Sequence, residues 1–103
     1  MQRRTLLMAV AAVGVLAAPV AQADEALLKK HNCTACHQMD KKVVGPAYNE
    51  VAKKYKGQKD IAAKLAEKVK KGGQGAWGPV PMPPNPQVSD ADIKKMVDFI
   101  LAR

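Results

Sequence analysis

The sequence predicts a small all-α domain with four helices. Three features of the 103-residue chain indicate this class. Apolar residues recur at helical spacing in three separate segments, and no segment shows the alternation that a half-buried strand would require. Glycine and proline residues separate these segments. The chain is also short, so a single domain with a small hydrophobic core is expected.

The first helix is expected over residues 24–31. Acidic residues lie at its N-terminal end and lysines at its C-terminal end, which is the arrangement that the helix dipole favours. This helix leads directly into a cysteine-containing segment. Residues 39–46 are then predicted to be a loop, because the pair Gly45-Pro46 interrupts regular structure.

The second and third helices are predicted from apolar periodicity. Over residues 47–56, apolar side chains fall at positions i, i+3, i+4 and i+7, namely Tyr48, Val51, Ala52 and Tyr55. Gly57 is expected to end this helix. Residues 61–71 carry an apolar residue at every fourth position, namely Ile61, Leu65 and Val69. Asp60 is expected to be the N-cap residue of this third helix, and Gly72 to follow its last turn.

A long loop is expected between the third and fourth helices. Residues 72–88 contain four glycines and five prolines, so no regular secondary structure is expected there. Ser89, followed three residues later by Asp92, resembles a capping box with aspartate in place of glutamate. The last helix is predicted to run to about Ala102 and to bury Ile93, Met96, Val97, Ile100 and Leu101.

Residues 1–23 are predicted to be a cleavable secretory signal peptide. Arg3 and Arg4 form a positive N-terminal region, residues 6–16 are apolar, and Ala21-Gln22-Ala23 matches a cleavage site. The apolar stretch is roughly half the length required to span a bilayer, so no stable membrane insertion is expected. An uncleaved N-terminal anchor is the alternative. Cleavage before Asp24 would leave one domain, residues 24–103, outside the cytoplasm.

The pentapeptide Cys33-Thr-Ala-Cys36-His37 is the C-x-x-C-H signature of covalent haem attachment. Two thiols at this spacing can each bond to one vinyl group of the same macrocycle. The imidazole of the next residue, His37, can then ligate the iron. The sequence therefore predicts one haem c, bound covalently through Cys33 and Cys36, with iron as the metal.

Three other uses of these cysteines are disfavoured. A disulfide between them would close a loop too short to stabilise the chain strongly. A zinc site usually takes four ligands from two separated pairs, whereas here the two cysteines, His37 and His31 lie within seven residues. A thioredoxin-like redox pair is expected near a βαβ pattern, which this sequence does not show.

The iron requires either a second axial ligand or an open coordination site. Met39 and His31 are tethered close to the attachment segment, and His31 is expected at the surface. Met96 lies at core spacing in the last helix. Met82 stands between prolines, which fix backbone φ and so limit the conformations available to it. Met82 is therefore the predicted second ligand, with a gap-filling core methionine as the alternative.

The chain carries 17 basic and nine acidic residues, giving a formal net charge of +8. Loss of two arginines with the signal peptide would leave 15 − 9 = +6. Nearly all the remaining basic residues are lysines, without the arginine–aromatic interleaving of base-reading proteins, so no nucleic-acid partner is expected. Two interpretations stay open: electrostatic steering towards an acidic redox partner, or a charged surface that keeps the protein in solution.

With the pentapeptide, Gly45-Pro46-Ala47-Tyr48 and the segment 77–84 (Trp-Gly-Pro-Val-Pro-Met-Pro-Pro) taken together, the chain resembles one family. It is similar to the short bacterial class I cytochromes c that carry electrons to nitrite reductase or a terminal oxidase in the periplasm. The resemblance implies the class I cytochrome c fold, with four helices around one haem. It also implies a monomeric, non-enzymatic one-electron carrier of the respiratory chain. Its partners would be acidic proteins such as a periplasmic reductase, a terminal oxidase or a cytochrome complex.

The resemblance also implies roles for residues near the haem. The carbonyl of Pro46 would accept a hydrogen bond from the Nδ1–H of His37. The indole of Trp77 would donate to a haem propionate, with simple core packing as the alternative. Asn85 would donate to the Met82 sulfur, with a plain turn residue as the alternative. Some family members have arginine at the position of Lys68, and lysine is a weaker propionate partner, so Lys68 is not included among the site residues.

Two rival functions follow from the same residues. If Met82 is not bound to the iron, the protein would be a haem protein with an open site, such as a small peroxidase or a gas sensor. Alternatively, the domain could work only inside a membrane complex. The single domain, the export signal and the high charge disfavour the second rival.

Overall fold

The computed structural model describes residues 20–103, so the predicted signal peptide lies outside the described residues except for its last four positions. Four α-helices are present in this range: α1 (Val20–Lys30), α2 (Tyr48–Tyr55), α3 (Ile61–Lys71) and α4 (Asp90–Leu101). A 3-10 helix, Cys33–Ala35, follows α1. Within residues 20–103, no helix is both long and apolar enough to cross a membrane.

The helix termini agree with the sequence pattern at most positions. The helix α1 begins earlier than expected, at Val20, and so continues across the predicted cleavage point. Gly57 lies just beyond α2 with φ 76°, the left-handed conformation in which glycine commonly ends helices. Ser89 caps α4, because its Oγ accepts a hydrogen bond of 3.2 Å from the backbone N–H of Asp92.

The prediction that Asp60 is the N-cap residue of α3 is confirmed, although its side chain does not supply the cap. Asp60 does occupy the N-cap position, but its backbone is left-handed, with φ 62°, and its side chain makes no capping hydrogen bond. A capping side chain normally requires an extended backbone at that residue, which lets its oxygen reach the free N–H groups of the first turn.

The expectation that residues 72–88 lack regular structure is wrong. This segment contains an antiparallel hairpin of β1 (Gly73–Gly75) and β2 (Gly78–Met82), in which Gly73 pairs with Met82 and Gly75 with Gly78. Prolines are tolerated in β2 because a strand in a two-stranded sheet has an edge that needs no hydrogen-bond donors. The hairpin does not change the fold class: the predicted all-α domain of four helices is confirmed.

The core is built around α4, which packs against each of the other three helices. Within the described part of the chain, nine hydrophobic residues are buried, and the apolar face of α4 supplies four of them. The nine are Leu28, Ala47, Tyr48, Ala52, Val88, Ile93, Met96, Val97 and Phe99. Phe99 was not part of the predicted face, whereas Ile100 and Leu101 are only partly buried. Such a small core is expected for a chain of this length.

His31 is not the surface residue that the sequence suggested. Its side chain is only 15% exposed, and its Nε2 lies 3.0 Å from Oδ2 of Asp92. This contact joins the segment after α1 to the first turn of α4. His31 is not among the residues that line the cavity described in the next section.

Candidate cofactor site

A cavity of about 240 Å³ lies between the helices and the hairpin. Each α-helix contributes to its lining, as do the C-x-x-C-H pentapeptide and strand β2. The lining is mainly apolar, with the helices supplying Leu28, Val51, Leu65, Val69, Met96, Val97 and Ile100. A large apolar group would therefore be well matched to this space.

The turn after α1 brings both thiols and the imidazole to the cavity. Asn32 adopts a left-handed backbone (φ 60°), and the 3-10 helix then begins at Cys33. The backbone N–H groups of Cys36 and His37 both donate to the carbonyl of Cys33, at 3.2 and 3.0 Å. Both thiols are free and partly buried, and burial raises the pKa of the Cys33 thiol. All three side chains line the cavity.

The orientation of the His37 ring is determined by two neighbouring residues. Its Nδ1 donates a hydrogen bond of 2.8 Å to the carbonyl of Pro46, which is the contact that the family resemblance implies. A carbonyl can only accept, so the proton lies on Nδ1 and the lone pair of Nε2 is left to bind a metal. The ring also lies against Gly45, where an added Cβ would be 2.8 Å from Nδ1 and 2.9 Å from Nε2.

Tyr48 packs behind the histidine. The two rings are stacked, with centroids 5.3 Å apart and planes inclined by 23°. Tyr48 is 4% exposed, and its hydroxyl finds no hydrogen-bond partner among the described residues. Burial, with a smaller effect from the nearby thiols Cys33 and Cys36, raises the pKa of the Tyr48 phenol far above its ordinary value.

This raised pKa predicts a contribution of Tyr48 to alkaline unfolding. The unfolded chain loses the phenolic proton near pH 10, whereas the folded protein retains it, so the free energy of unfolding falls as pH rises above 10. The expected slope from this one group is about 1 kcal/mol per pH unit. Tyr48→Phe should remove that part of the slope in denaturant titrations between pH 9.5 and 11.5. The control Tyr55→Phe should leave it, and equal slopes in all three proteins would contradict the prediction.

Met82 is placed in the cavity by the hairpin. It is the last residue of β2, is partly buried, and lines the same cavity as His37. Gly72 packs closely against the backbone of this segment. A Cβ at Gly72 would come within 2.5 Å of the Met82 carbonyl oxygen and 2.8 Å of the Pro84 nitrogen. Gly72 also has φ 73°, so only glycine suits this close approach. The sequence pattern identified Gly72 only as a helix terminator.

Trp77 and Lys68 both reach the cavity. Trp77 lies in the hairpin turn and is 40% exposed, which disfavours the alternative that it is an ordinary core residue. Lys68 lines the cavity from α3, and its Nζ lies close to Gly73, 3.0 Å from the position of an added Cβ. The hydrogen bond from Trp77 to a haem propionate stays a prediction.

Asn85 stabilises the loop after β2 instead of lining the cavity. Its Nδ2 donates to the carbonyls of Val69 and Pro83, at 3.1 and 3.2 Å. Its backbone N–H donates to Val69 and Lys70 at the end of α3. The contact of Asn85 with the Met82 sulfur stays a prediction.

The residues present fit a covalently attached haem. Two free thiols at the required spacing, an imidazole with its Nε2 lone pair free, and a thioether all line one apolar cavity. A family model described as cytochrome c matches residues 22–103. The chain belongs to the cytochrome c family. As a member, this cytochrome c contains haem c with iron, bound through Cys33 and Cys36, and is an electron carrier.

Known cytochromes c support this assignment over most of the chain. It is 55% identical to cytochrome c-552 of Nitrosomonas europaea over 91 residues, covering 88% of each protein. It is 46% identical to cytochrome c-551 of Pseudomonas aeruginosa over 99 residues, covering 94% of each. The crystal structure of the Nitrosomonas europaea protein superimposes with a TM-score of 0.74 at 54% identity, covering 76% of this chain and 96% of that one. The predicted class I cytochrome c fold is confirmed.

Proposed function

We propose that this cytochrome c is a periplasmic one-electron carrier whose haem iron is ligated by His37 and Met82. The observation that supports this most directly is the shared cavity: the free Nε2 of His37 and the side chain of Met82 both belong to its lining. The bound haem supplies an iron centre that alternates between Fe(III) and Fe(II). The polypeptide determines which ligands the iron has and how exposed it is.

The two proposed ligands have different effects on the iron. The Pro46 carbonyl holds the Nδ1 proton of His37 and so keeps its Nε2 available as a basic ligand. The thioether of Met82 is a soft ligand. His/Met ligation raises the reduction potential relative to ligation by two histidines. If His37 and Met82 both bound the iron, no coordination position would be left for a substrate. This arrangement favours electron transfer over catalysis.

Trp77 and Asn85 are proposed to assist from the hairpin and the loop after it. The position of Trp77 in the cavity lining supports donation from its indole N–H to a propionate. Asn85 already holds the carbonyl of Pro83, the neighbour of Met82, which supports a role in positioning the thioether. These hydrogen bonds would fix the positions of the propionate and of the Met82 thioether, and neither residue would itself transfer an electron.

The proposed partners are acidic redox proteins of the periplasm, such as a reductase, a terminal oxidase or a cytochrome complex. The lysine-rich composition, with a net charge of +6 for residues 24–103, supports electrostatic steering towards them. The export signal predicted in residues 1–23 supports the periplasmic location. We propose that the protein acts as a monomer.

Met82→Ala tests the ligand assignment. The variant should retain haem but lose the weak red absorption band of methionine-ligated ferric haem, and its ferrous form should bind carbon monoxide. The reduction potential of the haem should fall by on the order of 100 mV. For a one-electron couple, this change corresponds to nearly two orders of magnitude in the equilibrium constant between the ferric and ferrous forms. Optical spectra in both oxidation states and a redox titration provide these measurements.

Met39→Ala is the matched control, since it removes a partly buried methionine that packs against the core. It should leave both the spectrum and the potential close to those of the unmodified protein. An unchanged spectrum in Met82→Ala would show that the thioether is not the ligand. A high-spin spectrum with rapid carbon monoxide binding in the unmodified protein would favour a peroxidase or a gas sensor.

A further inference from the structure

A lysine on α2 makes contacts with the turn of the hairpin. The Nζ of Lys54 donates a hydrogen bond of 2.9 Å to the carbonyl of Ala76. The same Nζ lies 4.5 Å from the centroid of the Trp77 ring and 5.6 Å from that of Tyr55. The two aromatic rings meet edge to face, with centroids 6.4 Å apart and planes at 79°. Lys54 and Tyr55 thus hold Ala76 and Trp77 against α2.

The hairpin needs such an external contact. It has strands of only three and five residues, and an isolated two-stranded hairpin is marginally stable at best in water. Three of its residues are glycines with positive φ, namely Gly73, Gly75 and Gly78. Trp77 is 40% exposed, so burial alone holds it only partly. The contacts with α2 therefore restrain a turn that is otherwise weakly determined.

Any restraint on the turn extends to the cofactor cavity. Trp77 lines the cavity directly, and β2 runs from the turn to Met82 without interruption. We propose that Lys54 is a positioning residue, which fastens the hairpin turn to α2 and so holds Trp77 and Met82 in the cavity wall. The part of this inference that concerns Met82 rests on the proposed His37/Met82 ligation.

Lys53 provides a matched comparison. It is the neighbouring residue on α2, its side chain is 78% exposed, and it forms an ion pair with Glu50 at 3.8 Å. Lys53→Met and Lys54→Met remove the same charge from adjacent positions and retain an unbranched side chain. Only Lys54→Met removes the hydrogen bond to Ala76 and the cation–π contact. Lys54→Arg keeps a cation that can donate to the carbonyl and stack on the indole.

The first measurement is hydrogen exchange in the haem-loaded protein, followed by NMR at the backbone amides of residues 73–78 and at the Trp77 indole N–H. Loss of an exposed cation–π contact should increase the exchange rates in Lys54→Met by about two- to fivefold. Lys53→Met should leave them unchanged, and Lys54→Arg should restore them. This readout does not depend on which group ligates the iron.

The second measurement is the affinity of the ferric protein for imidazole, which must displace Met82. A looser hairpin should raise this affinity in Lys54→Met by about two- to fivefold, again without a change in Lys53→Met. Thermal unfolding of each variant shows whether a change is global or confined to the hairpin.

The outcomes separate the two proposals. Equal exchange rates in Lys54→Met and the unmodified protein, or equal increases in both methionine variants, would overturn the positioning role. Faster exchange with unchanged imidazole affinity would overturn the link to Met82. Imidazole binding to an unmodified ferric protein that shows no methionine band before the addition would instead contradict the ligand assignment, while the exchange data would still decide the role of Lys54.

Discussion

Replacing both Cys33 and Cys36 by alanine should give a polypeptide that neither binds haem covalently nor folds. The folded chain has only nine buried hydrophobic residues among those described, and a cavity lined by apolar side chains of all four helices. Without a group to pack against, these side chains contribute little. The net stability of a folded domain is only about 5–15 kcal/mol, and a small core contributes little beyond the cofactor. Loss of the cofactor should therefore remove essentially all of this stability. Mass spectrometry and far-ultraviolet circular dichroism measure the two effects.

The control for the cysteine variants lies within the same pentapeptide. Thr34→Ala changes an exposed residue between the two thiols and should leave haem attachment and helicity intact. Each single cysteine variant retains one thioether bond and should accumulate as holoprotein at a reduced level. A double variant with native helicity and no bound haem would show that the polypeptide core is sufficient to fold.

Gly45→Ala should strongly disturb the His37 side of the site. A methyl group at this position would overlap Cε1 of the imidazole and lie within 2.9 Å of both ring nitrogens. The ring would have to move, which would strain the hydrogen bond from Nδ1 to the Pro46 carbonyl. Overpacking of this kind costs about 1–3 kcal/mol, and loss of the hydrogen bond about 1 kcal/mol more. Denaturant unfolding of the haem-loaded protein measures the loss, and the visible spectrum reports on the ligand.

Gly57→Ala separates this steric effect from the general effect of replacing a glycine. Nothing lies within 4 Å of a Cβ at Gly57, so only its left-handed backbone opposes alanine, at a cost of about 1–2 kcal/mol. The Gly57 variant should also keep its normal spectrum. If Gly45→Ala were the less destabilising of the two and left the spectrum unchanged, the imidazole would not be held by the Gly45 backbone.

The helices could be predicted because their apolar residues repeat at helical spacing. Tyr48, Val51, Ala52 and Tyr55 are all buried or partly buried, as the pattern over 47–56 required. The hairpin was missed for a physical reason. Its residues are mostly glycine and proline, which provide no periodic apolar signal, and its stability comes from contacts with distant parts of the chain.

Some residues of the site could be identified from the sequence, whereas others depend on contacts that form only in the folded chain. The pentapeptide is a local signal, so Cys33, Cys36 and His37 could be identified from their spacing alone. The steric requirements at Gly45 and Gly72 depend on side chains and backbone that folding brings close to them. The contacts of Lys54 join residues 22 positions apart, and nothing in a lysine-rich sequence distinguishes this lysine from its neighbours.

The contribution of α4 to the cavity has a consequence for biogenesis. The two thiols directly follow α1, whereas Met96, Val97 and Ile100 belong to α4, the most C-terminal helix of the described residues. The pocket is incomplete until that helix docks. A porphyrin can therefore be joined to an open, accessible polypeptide and then serve as the template on which the C-terminal helix closes.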